Sequence, residues 1–355
     1  MTDDSGTLSI DFIAGFTIFL LAFIWVLSMI PGLLVNLQGY TIDYDAVAYR
    51  TGVILVEDPG YPVSPPWESQ QNFSVTRFGL AVSRDTPNIL SQEKVERFFC
   101  ATSVYGSFSY PDDYHQRVIF GDYPYRFNIS LLDVEGNKLQ SVGDVIPDGR
   151  GYIRRIVKIK GLSNATINES YIKSHAFINP DNNATSHDFS ILVNNAKLRE
   201  QRNPAYEIDP SRDQIMVNIT DLRSTLITDP ANANSVNITL TKINVYKVDA
   251  GVLSLVRTFN TPYIDGNSST TIPSSSSEVR DNITLKFSPA FFDILNAGNA
   301  PVYINLSFNL SMPLGTPYPS RFLNNTWSSP FEYNYNPANV TQPRLRDAMV
   351  EVAVW

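Results

Sequence analysis

The pattern of apolar and polar positions divides this chain into two parts. Residues 12–30 contain no charged side chain, and apolar side chains fall on every face of a helix built from them. At 1.5 Å per residue such a helix is about 28 Å long, which is enough to cross the hydrocarbon core of a membrane. An amphipathic surface helix would keep one polar face, so the pattern predicts a spanning segment. We assign residues 7–50 to a hydrophobic transmembrane or assembly helix and its stalk.

In the rest of the chain apolar side chains recur at every second position, which is the period of a strand with one buried face. Turn residues separate these segments, for example at 133–137 and 249–251. Many short strands with such turns predict a mainly β region, built as one antiparallel β-sandwich or as two. We divide it into a β-rich domain at 51–200 and a second sandwich-like domain at 201–355. The predicted strands are 125–132, 152–160, 189–193, 214–220, 236–247, 252–259, 282–287, 302–310 and 349–354.

One or two short helices are expected within the β region. Ser91 followed by Q-E-K-V-E-R-F-F predicts a helix within residues 91–102, with Ser91 as its N-cap and acidic residues in its first turn. Val95, Phe98 and Phe99 fall on one face of that helix, which predicts that they belong to the core. Ser288 followed by a proline predicts the second helix.

Composition and charge argue against nucleic-acid binding. The 355 residues have a formal net charge of −8, and 17% of them are charged, so no basic surface is expected. Cys100 is the single cysteine, which excludes an intrachain disulfide. The flanking residues V-E-R-F-F and A-T favour a small buried side chain at Cys100 over a reactive thiol.

Asp11 lies where the apolar run begins. A carboxylate at the centre of a membrane helix costs roughly 2.5–3.5 kcal/mol, so its position needs an explanation. One explanation is local: Ser9 caps the helix, and Asp11 lies in the first turn, where the helix dipole and lipid headgroups favour it. A cleavable secretory signal is not indicated, because the residues before the run are acidic and the run is too long. A plain, uncleaved signal anchor fits the same residues.

The other explanation comes from a resemblance. G-T-L-S-I-D-F, residues 6–12, resembles the class III signal peptide of archaeal type IV pilins and archaellins, in which a Gly precedes a polar motif and a hydrophobic helix. The resemblance implies that a prepilin peptidase removes the leader, residues 1–6, by cleaving between Gly6 and Thr7. It also implies that Asp11 and Phe12 are assembly residues, with the carboxylate meeting the new α-amino group of a neighbouring pilin-like subunit. A buried carboxylate is tolerated once it is paired in this way.

Thirteen Asn-x-Ser/Thr sequons follow the apolar run, against about five expected by chance from the Asn, Ser and Thr content. This excess predicts a glycosylated extracellular body with the N-terminus on the inner side of the membrane, and the sequons within strands are then expected to face outward. The alternative is that exposed β proteins simply favour Asn, Ser and Thr. The candidate N-glycosylation residues are Asn72, Asn128, Asn164, Asn168, Asn183, Asn218, Asn237, Asn267, Asn282, Asn305, Asn309, Asn324 and Asn339.

The sequence contains few indications of a catalytic site. It has three His and lacks the H-E-x-x-H, G-x-S-x-G and Walker A motifs, so no cofactor and no metal are expected. The acidic stretch 112–115, which includes a His, is expected to be a solvated loop.

These observations favour a structural protein over an enzyme. The first hypothesis is a pilin-like subunit of an archaeal type IV pilus-like filament or surface complex, as a minor or adhesive component with a glycosylated head displayed outside. Its expected partners are the membrane, the prepilin peptidase and other pilin-like subunits, with a surface ligand that the sequence does not identify. The alternative is an uncleaved, single-pass, membrane-anchored surface glycoprotein with a binding or envelope role. An ectoenzyme would require a concave site with perturbed titratable groups.

Overall fold

A computed structural model describes residues 10–38, 43–100, 105–119, 123–178, 186–200, 203–226, 237–260, 268–271, 278–279, 282–295, 298–311, 321–323 and 329–355. The chain divides into two compact units, Met1–Tyr44 and Asp45–Trp355.

Helices and strands are numbered here in chain order. The helices are α1 Ile10–Gln38, α2 Tyr44–Glu57, α3 Gln92–Phe99, α4 Asp112–Tyr114, α5 Glu169–His175, α6 Asn195–Arg199, α7 Leu222–Leu226 and α8 Pro289–Ile294. The strands are β1 Ile89–Ser91, β2 Phe127–Leu132, β3 Lys138–Gly143, β4 Gly151–Lys160, β5 Ser163–Ile167, β6 Ala176–Ile178, β7 Ser186–Asn194, β8 Ile215–Ile219, β9 Asn237–Asp249, β10 Val252–Asn260, β11 Ser268–Thr271, β12 Glu278–Val279, β13 Ile283–Phe287, β14 Pro301–Ser311, β15 Arg321–Leu323, β16 Phe331–Tyr333, β17 Val340–Thr341 and β18 Leu345–Val354.

The first unit contains the apolar helix α1. Its segment Ile10–Ile30 is long and apolar enough to cross a membrane, and none of it is buried. The helix continues through Pro31 and Gly32 to Gln38. The long apolar helix predicted from the sequence is therefore confirmed. The predicted stalk corresponds in part to α2, which is a separate helix, and residues 39–42 lie outside the described residues.

In the second unit, α2 packs on a five-stranded sheet, called sheet A, with the strand order β1-β4-β18-β2-β3. A Cβ atom at Gly52 of α2 would lie 3.0 Å from Cγ2 of Ile153 on β4, so the glycine lets the helix approach the sheet closely. The backbone N–H of Tyr152 donates to Oδ1 of Asp45 over 3.0 Å, which ties the start of the helix to the same strand. The buried residues of α2 are Ala48, Thr51, Gly52, Leu55 and Val56.

Two further sheets share one core and form the sandwich. Sheet B has the order β10-β9-β14-β7-β16, with β12 also paired to β9, and sheet C has the order β11-β13-β8-β5-β17. Alternate residues of each sheet are buried, as in β8, where Ile215, Val217 and Ile219 are at most 2% exposed. The buried residues of sheets B and C belong to the same apolar cluster. The burial of β8 therefore has the period of two that the sequence predicts for these strands.

The sheets are mixed, whereas the sequence predicts antiparallel ones. Strand β1 runs parallel to β4, β5 runs parallel to β8, and β7 runs parallel to β16. A period of two shows which face of a strand is buried. It does not show whether the neighbouring strand runs parallel or antiparallel, so the sequence pattern could not predict the parallel pairs.

The boundary predicted between residues 200 and 201 does not coincide with a division of the sheets. Sheet A joins β4 to β18, sheet B joins β7 to β14, and sheet C joins β5 to β8, so each sheet combines strands from both sides. The contacts instead place the division of the chain at Tyr44 and Asp45.

Helix α3 lies where the sequence predicts it, with two differences. Ser91 precedes the helix, but its side chain forms no capping hydrogen bond. Val95 and Phe98 are buried as predicted, whereas Phe99 is half-buried. Cys100, predicted to be buried, is exposed. The helix ends at Phe99 and Cys100 has extended backbone angles, so its side chain leaves the buried face of the helix.

Candidate functional site

The residues implicated by the pilin resemblance lie at the beginning of the chain. Gly6 and Thr7 lie outside the described residues. Asp11 is exposed in the first turn of α1, and Phe12 is 59% exposed. The rings of Phe12 and Phe16 stack with their centroids 6.2 Å apart. A helix of this length and composition near the N-terminus is typical of a membrane anchor or a signal sequence.

The sequon asparagines differ widely in exposure. Asn183, Asn267 and Asn324 lie outside the described residues. Those that are exposed are Asn168, Asn237, Asn282 and Asn309, and those that are half-buried are Asn72, Asn164, Asn218 and Asn339. Asn128 and Asn305 are each 6% exposed. The prediction that sequons within strands face outward is therefore wrong for these last two residues.

Asn128 is buried because its amide group holds neighbouring elements together. Its Nδ2 donates to the backbone oxygen of Asp144 over 2.8 Å, and Oγ of Ser130 donates to its Oδ1 over 2.7 Å. Asn72 has a similar position, since its Nδ2 donates to the backbone oxygen of Ser107 and its Oδ1 accepts from Arg97. At both residues the nitrogen that would join a glycan is already a hydrogen-bond donor within the protein.

The second unit contains a surface cleft of about 630 Å³, which we call the aromatic cleft. Three tyrosines are part of its wall, and two of them are well exposed: Tyr110 at 37% and Tyr123 at 44%. The other lining residues are Tyr125, Pro111, Pro124, His115, Asp112, Gln116, Arg126 and Asp144. This combination of aromatic rings with a few polar groups is typical of sites for small ligands.

Ring contacts hold the tyrosines of the aromatic cleft. The rings of Tyr123 and Tyr125 lie 4.8 Å apart, and His115 stacks on Tyr125 at 6.3 Å. Tyr110 packs edge-on against the fully buried Phe127 of β2, with ring centroids 5.2 Å apart. The cleft is thus attached to the core of sheet A.

Asp144 is positioned by the end of the β2–β3 hairpin. Its backbone N–H donates to the carbonyl of Phe127 over 3.0 Å, and its carbonyl accepts the amide of Asn128. The residue before it, Gly143, has φ +125°, and a Cβ there would lie 2.2 Å from the oxygen of Phe127. Only glycine fits this close approach.

Burial and a hydrogen bond to the carboxylate of Asp144 raise the pKa of Tyr110 to about 12. The phenol therefore stays protonated at neutral pH and donates to that carboxylate. Nearby, the pKa of Tyr114 is also raised to about 12, chiefly by burial, and its hydroxyl donates to the carbonyl of Phe98 over 2.7 Å.

A second cavity, of about 340 Å³, is lined by three acidic residues, Glu68, Glu93 and Glu96, and we call it the acidic cavity. Glu68 is 5% exposed, and neither of its carboxylate oxygens accepts a hydrogen bond from another described residue. Burial raises the pKa of Glu68, and the positive charge of Lys94 opposes this only in part. Burial also raises the pKa of Glu93 well above its ordinary value, and the carboxylate of Glu68 adds to that shift.

Lys94 lies beside the acidic cavity and is itself buried. Its Nζ donates to the carbonyls of Pro59 and Ala81 over 2.8 and 2.9 Å. Burial lowers its pKa, and the charges of Glu68 and Asp213 oppose that shift. Arg97 and Lys286 also line the cavity, so its charges are mixed.

Metal chemistry has no support in the part of the chain that the structure describes, where no group of three or more His, Cys, Asp and Glu could hold an ion. Residues 112–115, predicted to be a solvated loop, instead form α4 and the start of a π-helical turn, His115–Ile119. Tyr114 within this segment is buried.

The aromatic cleft was not predicted from the sequence. Its wall comes from two tyrosine- and proline-rich segments, 110–116 and 123–126, together with Asp144 from the hairpin. The closely spaced Tyr-Pro pairs, at 110–111 and 123–124, are the signal that could have indicated it.

Comparison with known proteins gives little that bears on function. No protein-family profile matches the chain, and no solved structure matches it. An uncharacterized protein of Archaeoglobus fulgidus is 40% identical over 60 residues, which are 17% of this chain and 31% of that protein. The chain thus covers less than a third of the length of that relative.

Proposed function

We propose that this protein is a pilin-like structural subunit of an archaeal type IV pilus-like filament or surface complex, as a minor or adhesive component. Helix α1 would pack in the membrane or against other subunits, and the body, Asp45–Trp355, would be displayed outside. The observation that carries the proposal is the apolar segment Ile10–Ile30, exposed throughout, with the carboxylate of Asp11 in its first turn.

The position of Asp11 supports assembly through an ion pair. Cleavage after Gly6 would make Asp11 the fifth residue of a chain that begins at Thr7. The new α-amino group of one subunit could then meet the carboxylate of the next within an apolar surrounding. Because an unpaired charge is costly there, such a pair would fix the register between neighbouring helices.

The arrangement of the body gives further support. Its first helix, α2, begins at Tyr44, shortly after the apolar helix, and packs on sheet A. The exposed sequons at Asn168, Asn237, Asn282 and Asn309 are consistent with a surface that faces the outside.

Mass spectrometry of the mature N-terminus tests the proposal. The protein is produced with its full leader in an archaeal host that has a prepilin peptidase, and its membrane fraction is analysed. We expect a first residue of Thr7, and we expect Gly6→Val to abolish this cleavage. A mature wild-type chain that keeps residues 1–6 would contradict pilin-type processing.

Assembly is tested separately with Asp11→Ala. We expect normal cleavage but at least about tenfold less protein in filaments or high-mass complexes, because the ion pair is lost. Ser28→Ala is the matched control, since Ser28 is a polar residue of the same helix whose hydroxyl donates only locally, to the carbonyl of Trp25. Equal assembly of both variants would show that Asp11 has no pairing role.

The second candidate function is an uncleaved, single-pass, membrane-anchored surface glycoprotein with a binding or envelope role. Asp3 and Asp4 favour it, because they lie before Gly6 where pilin-type leaders usually have basic residues. Retention of residues 1–6 together with tight membrane association would support this function.

A further inference from the structure

We propose that the aromatic cleft, formed by Tyr110, Tyr123, Tyr125, Asp112, Gln116 and Arg126, is a binding site for a neutral saccharide. The cleft lies entirely within Asp45–Trp355, so the inference does not depend on cleavage at Gly6 or on filament assembly. It names a ligand class that the proposed function leaves open.

The aromatic rings provide the apolar part of the site. Tyr110 and Tyr123 are 37% and 44% exposed. Large aromatic side chains contribute most to the free energy of binding or folding when they are buried, so these two rings are available to a ligand. A sugar ring has an apolar face of C–H groups that packs well against an aromatic ring. The cleft volume of about 630 Å³ lies within the range of small-ligand sites, roughly 300–1,000 Å³, and accommodates a short oligosaccharide.

The polar groups match the hydroxyls of a sugar. Asp112, Gln116 and Arg126 are exposed along the same cleft. A carboxylate accepts hydrogen bonds, a guanidinium donates them, and an amide does both. Each sugar hydroxyl is at once a donor and an acceptor, so it can satisfy all three kinds of group.

The charges of the cleft favour a neutral ligand over an ion. Asp112 and Asp144 are negative and Arg126 is positive, and the carboxylate of Asp144 already accepts the phenol of Tyr110. Of the three charged groups, Asp112 and Arg126 are exposed to a ligand, whereas Asp144 is half-buried. A cation would meet Arg126 and an anion would meet Asp112, so mixed charge disfavours both.

The walls of the cleft are preorganised, which lowers the entropic penalty of binding. The backbone of Arg126 makes two hydrogen bonds with Trp355, both of 2.9 Å. Phe127, the next residue, is fully buried under Tyr110. His115 supports Tyr125 by stacking and through a contact of 3.2 Å between its Nε2 and the carbonyl of Tyr125.

The test is binding of the full-length protein, in a detergent that contains no sugar, to an array of neutral glucan, mannan and galactan oligosaccharides. Hits are measured by isothermal titration calorimetry, with tetramethylammonium and inorganic phosphate as charged comparison probes. Tyr123→Ala and Gln116→Ala remove exposed side chains of the cleft. Tyr206→Ala is the matched control, because Tyr206 is 47% exposed and lies outside the cleft.

We expect at least one neutral oligosaccharide to bind, with about tenfold weaker binding in Tyr123→Ala and a smaller loss in Gln116→Ala. Tyr206→Ala should bind like the unmodified protein, and thermal unfolding should show that all variants are folded. Three outcomes would overturn the proposal: no neutral oligosaccharide binds, binding is unchanged in both cleft variants, or a charged probe binds more tightly than every sugar.

Discussion

Glu68 is a buried residue whose ionisation should affect stability. Its folded-state pKa lies above the ordinary value of 4.5 because burial disfavours the carboxylate. At pH values between 4.5 and the folded-state pKa, the folded protein therefore binds more protons than the unfolded chain. The free energy of unfolding must then fall as the pH rises from about 4.5 through the folded pKa, by at most about 1.4 kcal/mol per pH unit for each such group.

Glu68→Gln isolates this contribution. We expect the variant to gain stability relative to the unmodified protein as the pH rises above about 4.5, reaching on the order of 1 kcal/mol near neutrality. Urea unfolding across that pH range measures the difference. Glu96→Gln is the control, because Glu96 also lines the acidic cavity but is exposed. A difference between Glu68→Gln and the unmodified protein that stays constant with pH would refute this explanation.

At the scale of elements, the β2–β3 hairpin depends on one glycine. Gly143→Ala would combine φ +125° with a Cβ only 2.2 Å from the carbonyl oxygen of Phe127. We expect a loss of about 2–3 kcal/mol in the free energy of unfolding, measured by urea titration. Gly136→Ala, in the turn of the same hairpin, has φ +89° with no atom within 4 Å and should lose only about 1 kcal/mol. Equal losses would mean that the positive φ angle alone, and not the close approach to Phe127, determines the loss of stability.

Strands with large apolar side chains at alternate positions were predictable from the sequence. The predicted strands 214–220 and 282–287 correspond to β8 and β13, where buried and half-buried residues alternate without exception. Strand β3 was missed because it is an edge strand whose residues are nearly all exposed, so no apolar period marks it. Strand β5 has the same length and the same alternation of burial as β8, but its sequence S-N-A-T-I has Ile167 as its one large apolar side chain, so the sequence shows no clear apolar period.

The aromatic cleft was not predictable for a different reason. Its tyrosines are local in sequence, but Asp144 reaches them only through the β2–β3 pairing and through the amide of Asn128. That asparagine was interpreted as a glycan acceptor, because a sequon contains no information about burial. The predicted sites Gly6 and Thr7 lie outside the described residues, so their role stays a prediction.

For the molecule as a whole, the exposure of the sequons predicts where glycans are attached. If the protein carries glycans, as proposed, we expect them among Asn168, Asn237, Asn282 and Asn309, and none on Asn128 or Asn305. A glycan on Asn128 would place a bulky polar group in a buried position, on a nitrogen that donates within the protein. Glycopeptide mass spectrometry measures the occupancy of each site. Substantial occupancy of Asn128 would contradict the burial found here.

The central place of β18 in sheet A has a consequence for the order of folding. Arg154 of β4 and Glu351 of β18 form an ion pair of 2.7 Å between residues 197 positions apart. Until β18 is synthesised, β4 and β2 have no strand between them, and this interval lasts roughly 10–40 s at ordinary rates of translation. Sheet A should therefore fold late, with its unpaired strands in need of protection from aggregation until then.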